Sequence, residues 1–318
     1  MPPALDVVDV VADDARTWGW WHAALARHPP RRLLRLEVCL WDRELAGSVV
    51  ATLTLPALVA VPEWQLCLTG LTHNDAVDAL DAILVARRGG PLSLDLHGTV
   101  RADVRAPAVV VPSVRHLRMQ WLPSEWVTAW AARVQPVEFT SDHAVWCGGP
   151  TTRAVHLRLG CDDTAFLLSM SKALVGDDTF ALTDVDLGVS AHALLDSAEW
   201  VDAWAHLLRR WLERCPQLRR LALDVSTTFR KYDYLHPDEE APFAERFTRV
   251  TEILFVAPAA SALRVHCRFP SMGDRCAGRV RAALSLSGVR ATADFCLVTD
   301  DVYFLPTVAE CTMRDVPM

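Results

Sequence analysis

Short segments that alternate apolar and polar residues recur along the chain, and they constrain its fold more than any other feature. Alternation with a period of two is typical of a β-strand with one buried face. The clearest copies are Leu33–Val38, Pro91–Leu96, Val114–Met119, Ala154–Leu159, Leu182–Leu187 and Leu218–Leu223. Weaker copies are Trp64–Leu68, Val137–Phe139 and Val250–Phe255.

Stretches with helical spacing lie between these segments. They are Ala76–Val85, Glu125–Arg133, Thr164–Leu174 and the longest, Ala191–Arg214, in which tryptophans and leucines follow an amphipathic pattern. Strands that alternate with helices predict a parallel sheet, because a short loop cannot connect two parallel neighbours.

The polar positions inside the strands indicate which parallel architecture forms. A doubly wound sheet is covered on both faces, so its strands are nearly continuous apolar runs. Here the residue between two apolar anchors is often charged, as at Glu37, Asp95, Arg118, Arg158 and Asp186. We therefore expect an α/β solenoid, or horseshoe, with an exposed parallel sheet on one face and helices on the other. Its repeats are irregular, with anchors roughly 18 to 36 residues apart.

One segment resembles a known repeat family. Cys215-Pro-Gln-Leu-Arg-Arg-Leu-Ala-Leu223 is similar to the cysteine-containing leucine-rich repeat of F-box-type proteins, and His156-Leu-Arg-Leu-Gly-Cys161 is similar to part of the same repeat. The resemblance covers about residues 31 to 225. It implies a leucine-rich-repeat-like solenoid, which we place at residues 31–318.

Residues 1–30 have two interpretations. Leu5-Asp6 and the tryptophans Trp18, Trp20 and Trp21 resemble the second half of an F-box, although the Leu-Pro pair that opens its first helix is absent. That resemblance implies an adaptor that contacts a ubiquitin-ligase linker protein. The alternative is a helical cap over the end of the solenoid. Trp20 and Trp21 are adjacent, so both cannot face one core, and one of them is a candidate for a partner interface.

Composition excludes several classes of partner. The net charge of −7 argues against nucleic-acid binding. No apolar run reaches the roughly 18–20 residues of a membrane span. The nine cysteines are scattered singly, and Cys39 and Cys67 stand in apolar runs. They are interpreted as reduced core residues of a cytoplasmic or nuclear protein.

The sequence has no catalytic motif of a common enzyme class, and we expect no cofactor and no metal site. The paired acids Asp162-Asp163, Asp177-Asp178 and Asp300-Asp301 fall in predicted turns, where such residues cap helices or stay solvated. His116 and His156 each precede a strand anchor and are interpreted as surface histidines. The competing class is a compact, hydrolase-like α/β enzyme with dispersed catalytic residues.

The segment 226–249 departs most from the repeat pattern. It is polar and contains Tyr232 and Tyr234, so it is interpreted as a loop inserted at the rim of the solenoid, with a solvated spacer as the alternative. The apolar runs after Val250, among them Val280–Leu286, are expected to close the repeat array as strands.

These observations predict a non-enzymatic protein–protein interaction scaffold, with substrate recognition as an adaptor among its roles. The partner protein would bind the exposed sheet face, where charges of both signs alternate. The predicted contact residues are Glu37, Arg118, His156, Arg158, Asp184, Asp186, Arg220, Asp224, Tyr232 and Tyr234.

Overall fold

The computed structural model describes residues 5–12, 14–88, 90–98, 104–111, 114–123, 126–141, 151–159, 171, 179–196, 198–226, 234–254, 263–286 and 290–295. Within these residues, eleven strands form one sheet in which each strand pairs in parallel with the next strand of the chain. The strands are β1 (Val7–Ala12), β2 (Leu33–Cys39), β3 (Glu63–Thr69), β4 (Leu92–His97), β5 (Val114–Gln120), β6 (Glu138–Ser141), β7 (Ala154–Leu159), β8 (Asp184–Ser190), β9 (Arg220–Ser226), β10 (Arg264–Phe269) and β11 (Arg290–Phe295).

Helices connect most of these strands. They are α1 (Ala15–Arg27), α2 (Arg43–Leu53), α3 (Pro56–Val59), α4 (Asn74–Ala86), α5 (Ala132–Val134, preceded by the π-helical turn Val127–Ala131), α6 (Ala191–Asp196), α7 (Ala198–Glu213), α8 (Pro237–Leu254) and α9 (Asp274–Leu286). The predicted alternation of parallel strands and helices is thus confirmed. The predicted helix Thr164–Leu174 lies almost wholly outside the described residues.

One face of the sheet is buried. In β3, for example, Trp64, Leu66 and Leu68 are buried and the residues between them are half-buried. The inward side chains of the strands and the apolar sides of the helices form a single hydrophobic cluster. Successive helices contact one another, as α1 does α2, α2 does α4, and α8 does both α7 and α9, so they lie on the same side of the sheet.

Tryptophans are the largest side chains in this core. Trp18, Trp64, Trp130, Trp204 and Trp211 are all among the largest fully buried side chains. Four of them come from helices or the helical turn and one from a strand. The amphipathic pattern predicted for Ala191–Arg214 is confirmed, since Trp204 and Trp211 are buried.

The N-terminal segment contains a strand that the sequence analysis did not predict. Residues 1–30 were expected to form a helical cap or a partial F-box, and α1 is indeed helical. Val7–Ala12, however, pair with Leu33–Val38 and begin the sheet. Trp18 and Leu25 of α1 are buried in the common core. The first 30 residues therefore extend the sheet as a strand–helix unit.

Three predictions in the C-terminal third are wrong. The segment 226–249 was expected to be a loop, but from Pro237 onward it is helix α8, whose Phe243 and Phe247 are buried on one side of an otherwise polar sequence. Val250–Phe255 was expected to be a strand, yet residues up to Leu254 continue the same helix. Val280–Leu286 was also expected to be a strand and belongs to α9. In α9, the arginines and serine between the apolar residues lie on the exposed side of a helix.

A tight turn fixes the carboxyl ends of β2 and β3 beside each other. Gly70 follows β3 with φ of 72°, a left-handed conformation that favours glycine. A Cβ atom on Gly70 would lie 2.9 Å from both Sγ of Cys39 and the backbone nitrogen of Trp41. The ring of His73 contacts the Trp41 carbonyl oxygen through Nε2 at 3.1 Å.

Candidate functional site on the polar sheet face

The outward face of the sheet carries polar side chains in three rows that run across the strands. The first row is Asp9, Arg35, Gln65, Ser93, His116, Glu138, Ala154, Asp184, Arg220, Arg264 and Arg290. The second row is Val11, Glu37, Cys67, Asp95, Arg118, Thr140, His156, Asp186, Ala222, His266 and Thr292. The third row includes Cys39, Thr69, His97 and Gln120 at one end and Arg158, Gly188, Asp224, Arg268 and Asp294 at the other.

The structure places eight of the ten predicted contact residues on this polar face. Asp184 and Arg220 belong to the first row, Glu37, Arg118, His156 and Asp186 to the second, and Arg158 and Asp224 to the third. Glu37 and Arg220 are exposed, and Arg118, His156, Asp184, Asp186 and Asp224 are half-buried. For Arg158 the structure gives the backbone position only.

The two tyrosines predicted to accompany them lie elsewhere. Tyr232 is outside the described residues. Tyr234 is exposed and forms an isolated parallel bridge with Ser271, beyond the carboxyl end of β10. Tyr234 thus lies shortly before helix α8 and belongs to none of the three rows.

A chain of polar contacts crosses β1 to β3 along the first row. Nε of Arg35 lies 3.8 Å from an Asp9 carboxylate oxygen and donates a hydrogen bond to Gln65 at 2.9 Å. The Gln65 amide donates in turn to Glu63 at 3.2 Å. These contacts hold the side chains against the sheet, where a partner would meet a fixed pattern of charge.

His116 and Glu138 form the closest ion pair in the middle of the first row. Nδ1 of His116 lies 2.7 Å from Glu138 Oε2. This hydrogen bond raises the pKa of His116 above its ordinary value and lowers the pKa of Glu138. Both side chains remain about half exposed, at 52% and 47%. The pair is therefore accessible from solvent.

A second acid–base group joins β7, β8 and β9. The Asp186 carboxylate lies 3.5 Å from Nδ1 of His156 and 3.6 Å from a guanidinium nitrogen of Arg220. Beyond it, the first row continues with Arg264 and Arg290 in register with Arg220. Arginines thus hold three successive positions at this end of the first row.

A third group, on β3 and β4, was missed by the sequence analysis. Cys67 of β3 is the register partner of Asp95 on β4, and His97 follows Asp95 by two residues on the same face. Within the described ranges, the ligand-type atoms of these three side chains all lie within 4.8 Å of one another. All three are half-buried, so this group differs from the exposed pairs elsewhere on the face.

The environment of Cys67 keeps its thiol protonated. Burial, followed by the charges of Asp95 and Glu37, raises the pKa of Cys67 to about 12. The interpretation of Cys39 and Cys67 as core residues is wrong, because each alternates with buried neighbours and so points to the polar face. Among the described cysteines, Cys215, Cys267 and Cys276 are buried as expected.

Exposed tryptophans border the same part of the face. Trp41 follows β2 and Trp121 follows β5, and their side chains are 61% and 64% exposed. The Trp121 ring meets the ring of His97 edge-on, with centroids 6.1 Å apart. Its backbone has φ of 55°, a strained conformation for a bulky residue, and such strain is concentrated at functional sites.

The N-terminal tryptophans divide as their adjacency predicts. Trp21 packs partly against the core, whereas Trp20 is 66% exposed and touches Trp21 edge-on. The paired acids Asp162-Asp163, Asp177-Asp178 and Asp300-Asp301 lie outside the described residues.

No helix in the described parts of the chain is both long and apolar enough to cross a membrane. Comparison of the chain with models of protein families, with curated proteins and with solved structures gives no match.

Proposed function

We propose that this chain is a leucine-rich-repeat-type solenoid that binds a partner protein on its polar sheet face. The observation that carries the proposal is the continuity of that face. Its first and second rows run from β1 to β11. Among the described side chains of these two rows, every one except Ala222 is half-buried or exposed.

The size of the face is suited to a protein partner. Ten spacings of about 4.8 Å between eleven strands, each about 20 Å long, give an area of about 1,000 Å². A standard interface buries about 800 Å² on each partner. A small ligand would use only a fraction of this surface.

The charge pattern supports a partner with an acidic segment. Arg220 and Arg264 lie at matching positions on adjacent parallel strands, where like charges repel one another, and Asp186, 3.6 Å from Arg220, compensates only one of them. An acidic partner segment would relieve this repulsion and gain ion pairs. Acidic residues such as Glu37 and Glu63 dominate the outward positions toward β2 and β3, so the partner would present basic groups there.

Charge reversal at the arginine end of the face tests the proposal. We expect Arg220→Glu/Arg264→Glu to lose the proteins that the tagged full-length chain captures from its native extract, as measured by quantitative mass spectrometry. Arg279→Glu, an exposed arginine on helix α9, is the matched control and should retain them. Equal capture by all three proteins would reject the sheet face as the binding site.

The same capture addresses the adaptor role that the F-box resemblance implies. Deleting residues 1–30 is unsuitable, because it would remove β1. Trp20→Ala changes one exposed side chain instead. A ubiquitin-ligase linker protein that is captured by the wild type and lost by this variant would support the adaptor role. Its absence from both captures would leave a plain scaffold.

A further inference from the structure

Asp95 and His97 hold two buried polar atoms close together. Oδ1 of Asp95 lies 2.6 Å from Nε2 of His97, and both atoms are buried. A carboxylate and an imidazole at this distance form an ion pair when the imidazole is protonated, and both groups are also common metal ligands. Sγ of Cys67 completes the group, with all three ligand-type atoms within 4.8 Å.

The spacing of these atoms fits coordination to one metal ion. Bonds of about 2.0 Å to nitrogen and oxygen and about 2.3 Å to sulfur, in tetrahedral geometry, place ligand atoms about 3.3–3.5 Å apart. The present separations, from 2.6 Å up to 4.8 Å at most, bracket that value.

The types of ligand select the metal. A thiolate and an imidazole suit Zn²⁺, whereas Mg²⁺ and Ca²⁺ prefer oxygen ligands alone. Three protein ligands and one open position are the pattern of zinc sites that exchange a ligand. Oδ1 of Asp95 and Nε2 of His97 are themselves buried, but the two side chains keep 27% and 20% of their surface exposed on the polar face, from which a fourth ligand would approach.

The surrounding charges also favour a cation. Glu37 and Asp95 carry negative charges, and Arg118, 3.5 Å from Oδ2 of Asp95, carries a positive one. Metal binding would displace the proton of Cys67 and add a thiolate to this set. Because Arg118 holds Oδ2, the other carboxylate oxygen is the one directed at His97.

Gln120 lies between the imidazole of His97 and the guanidinium of Arg118. Its amide donates to Nδ1 of His97 at 3.0 Å, and its oxygen accepts from Nε of Arg118 at 3.0 Å. When Nε2 binds a metal, Nδ1 carries the proton and requires an acceptor. The Gln120 amide would then rotate to accept from Nδ1 and would give up its hydrogen bond from Arg118.

We propose that Cys67, Asp95 and His97 bind one Zn²⁺ ion, with the fourth coordination position open on the polar sheet face. This site does not depend on the proposed partner binding, and the sequence analysis did not predict it.

Cobalt titration of the purified full-length protein tests the site, with Co²⁺ as a coloured substitute for Zn²⁺. We expect a thiolate-to-cobalt charge-transfer band that saturates at one ion per chain and disappears when Zn²⁺ is added. Cys67→Ser should abolish the band. His97→Ala should weaken binding by on the order of 100-fold or more, above the roughly 10–100-fold cost of losing an outer contact.

Two neighbours on the same face provide controls. Cys39→Ser removes the other half-buried cysteine, and His116→Ala removes an exposed histidine; both variants should bind as the wild type does. Absence of the band in the wild type, its persistence in Cys67→Ser, or its loss in Cys39→Ser would overturn the proposal.

A measurement on the wild type guards against variants that fail to fold. Zn²⁺ should slow alkylation of Cys67 by iodoacetamide by about tenfold or more, because a thiolate bound to the metal is not free to act as a nucleophile, and should leave the rate at Cys39 unchanged. Peptide mass spectrometry gives both rates from one sample. Equal rates at Cys67 with and without Zn²⁺ would reject the site.

Discussion

At the scale of single residues, the polar face is defined by half-exposed acid–base contacts, and His116–Glu138 has the best geometry of them. Nδ1 of His116 and Oε2 of Glu138 are 2.7 Å apart. Their hydrogen bond favours the charged form of both groups, so it raises the pKa of His116 and lowers the pKa of Glu138. The charge of Arg115 partly opposes the rise at His116. Since both side chains are about half exposed, solvent screening limits the pair to about 0–1 kcal/mol of folding free energy.

The pH dependence of that energy follows from the two shifts. The raised pKa of His116 gives a contribution that is complete below its ordinary value of 6.5 and is lost as the pH rises through the folded value. The lowered pKa of Glu138 gives a contribution present above 4.5 and lost as the pH falls through its folded value. The pair therefore stabilises the fold most between these two pH values.

We predict that the coupling energy between His116 and Glu138 is larger at about pH 5.5 than at about pH 8.5. A double-mutant cycle of His116→Ala and Glu138→Gln, with unfolding by urea at both pH values, measures it. His156→Ala is a suitable reference, because His156 contributes a smaller charge effect on Glu138. A coupling energy that stayed constant with pH would show that the pair is not charged.

The sequence indicated the polar face but not the group formed on it by Cys67, Asp95 and His97. Period-two alternation was enough to place Glu37, Arg118 and Asp186 on one side of the sheet. The approach of Cys67 to Asp95 and His97 depends on the register between β3 and β4, which alternation alone does not define. The segment Leu-Asp-Leu-His ending at His97 did contain a signal, since it puts two ligand-type residues on one face.

At the scale of elements, Arg87 ties the end of helix α4 to the chain segments that precede β3 and β4. It follows α4 and is only 3% exposed. Its guanidinium donates to the carbonyl oxygens of Val59, Pro62 and Pro91, and it lies 4.9 Å from the centre of the Trp64 ring. Burial lowers its pKa below the ordinary value, but three acceptors compensate the charge.

We predict that Arg87→Met destabilises the protein by about 3 kcal/mol, because it fills the space but leaves three carbonyl oxygens without a donor. Urea unfolding of the variant measures the change. Arg88→Met, at the exposed neighbouring position, should change the free energy of unfolding by less than about 0.5 kcal/mol. Similar losses for both variants would contradict a specific role for Arg87.

Helix α8 shows where sequence patterns misled. Its first turn holds Asp238, Glu239 and Glu240, which made the segment resemble a solvated loop. Acidic residues at this position in fact favour a helix, since they oppose the positive end of its dipole. The apolar Phe243, Phe247 and Val250 lie at helical spacing, and their burial explains why the helix forms.

At the scale of the whole molecule, the parallel α/β order was predictable because each strand–helix unit carries its own pattern. What the sequence did not indicate was where the sheet begins. Val7–Ala12 contains Asp9 between valines and was interpreted as part of a helical cap. Its pairing with β2 is a contact between segments about 26 residues apart, and only the tertiary structure specifies it.

The position of β1 leads to a prediction for the intact sheet. Removing residues 1–30 would turn β2 into an edge strand with unpaired backbone groups. It would also remove Trp18 and Leu25 from the core, where they are 0% and 1% exposed. We expect the truncated chain to aggregate or to unfold at a markedly lower temperature than the full-length chain.

Two point variants separate the contribution of the core from that of the edge. Trp18→Ala should cost about 3–5 kcal/mol of folding free energy, as large-to-small changes in a core do. Trp20→Ala, two residues away and 66% exposed, should leave the free energy of unfolding nearly unchanged. Denaturation followed by circular dichroism gives these values. If the truncated chain unfolded cooperatively at the wild-type temperature, residues 1–30 would be a detachable cap and the sheet would be stable from β2 onward.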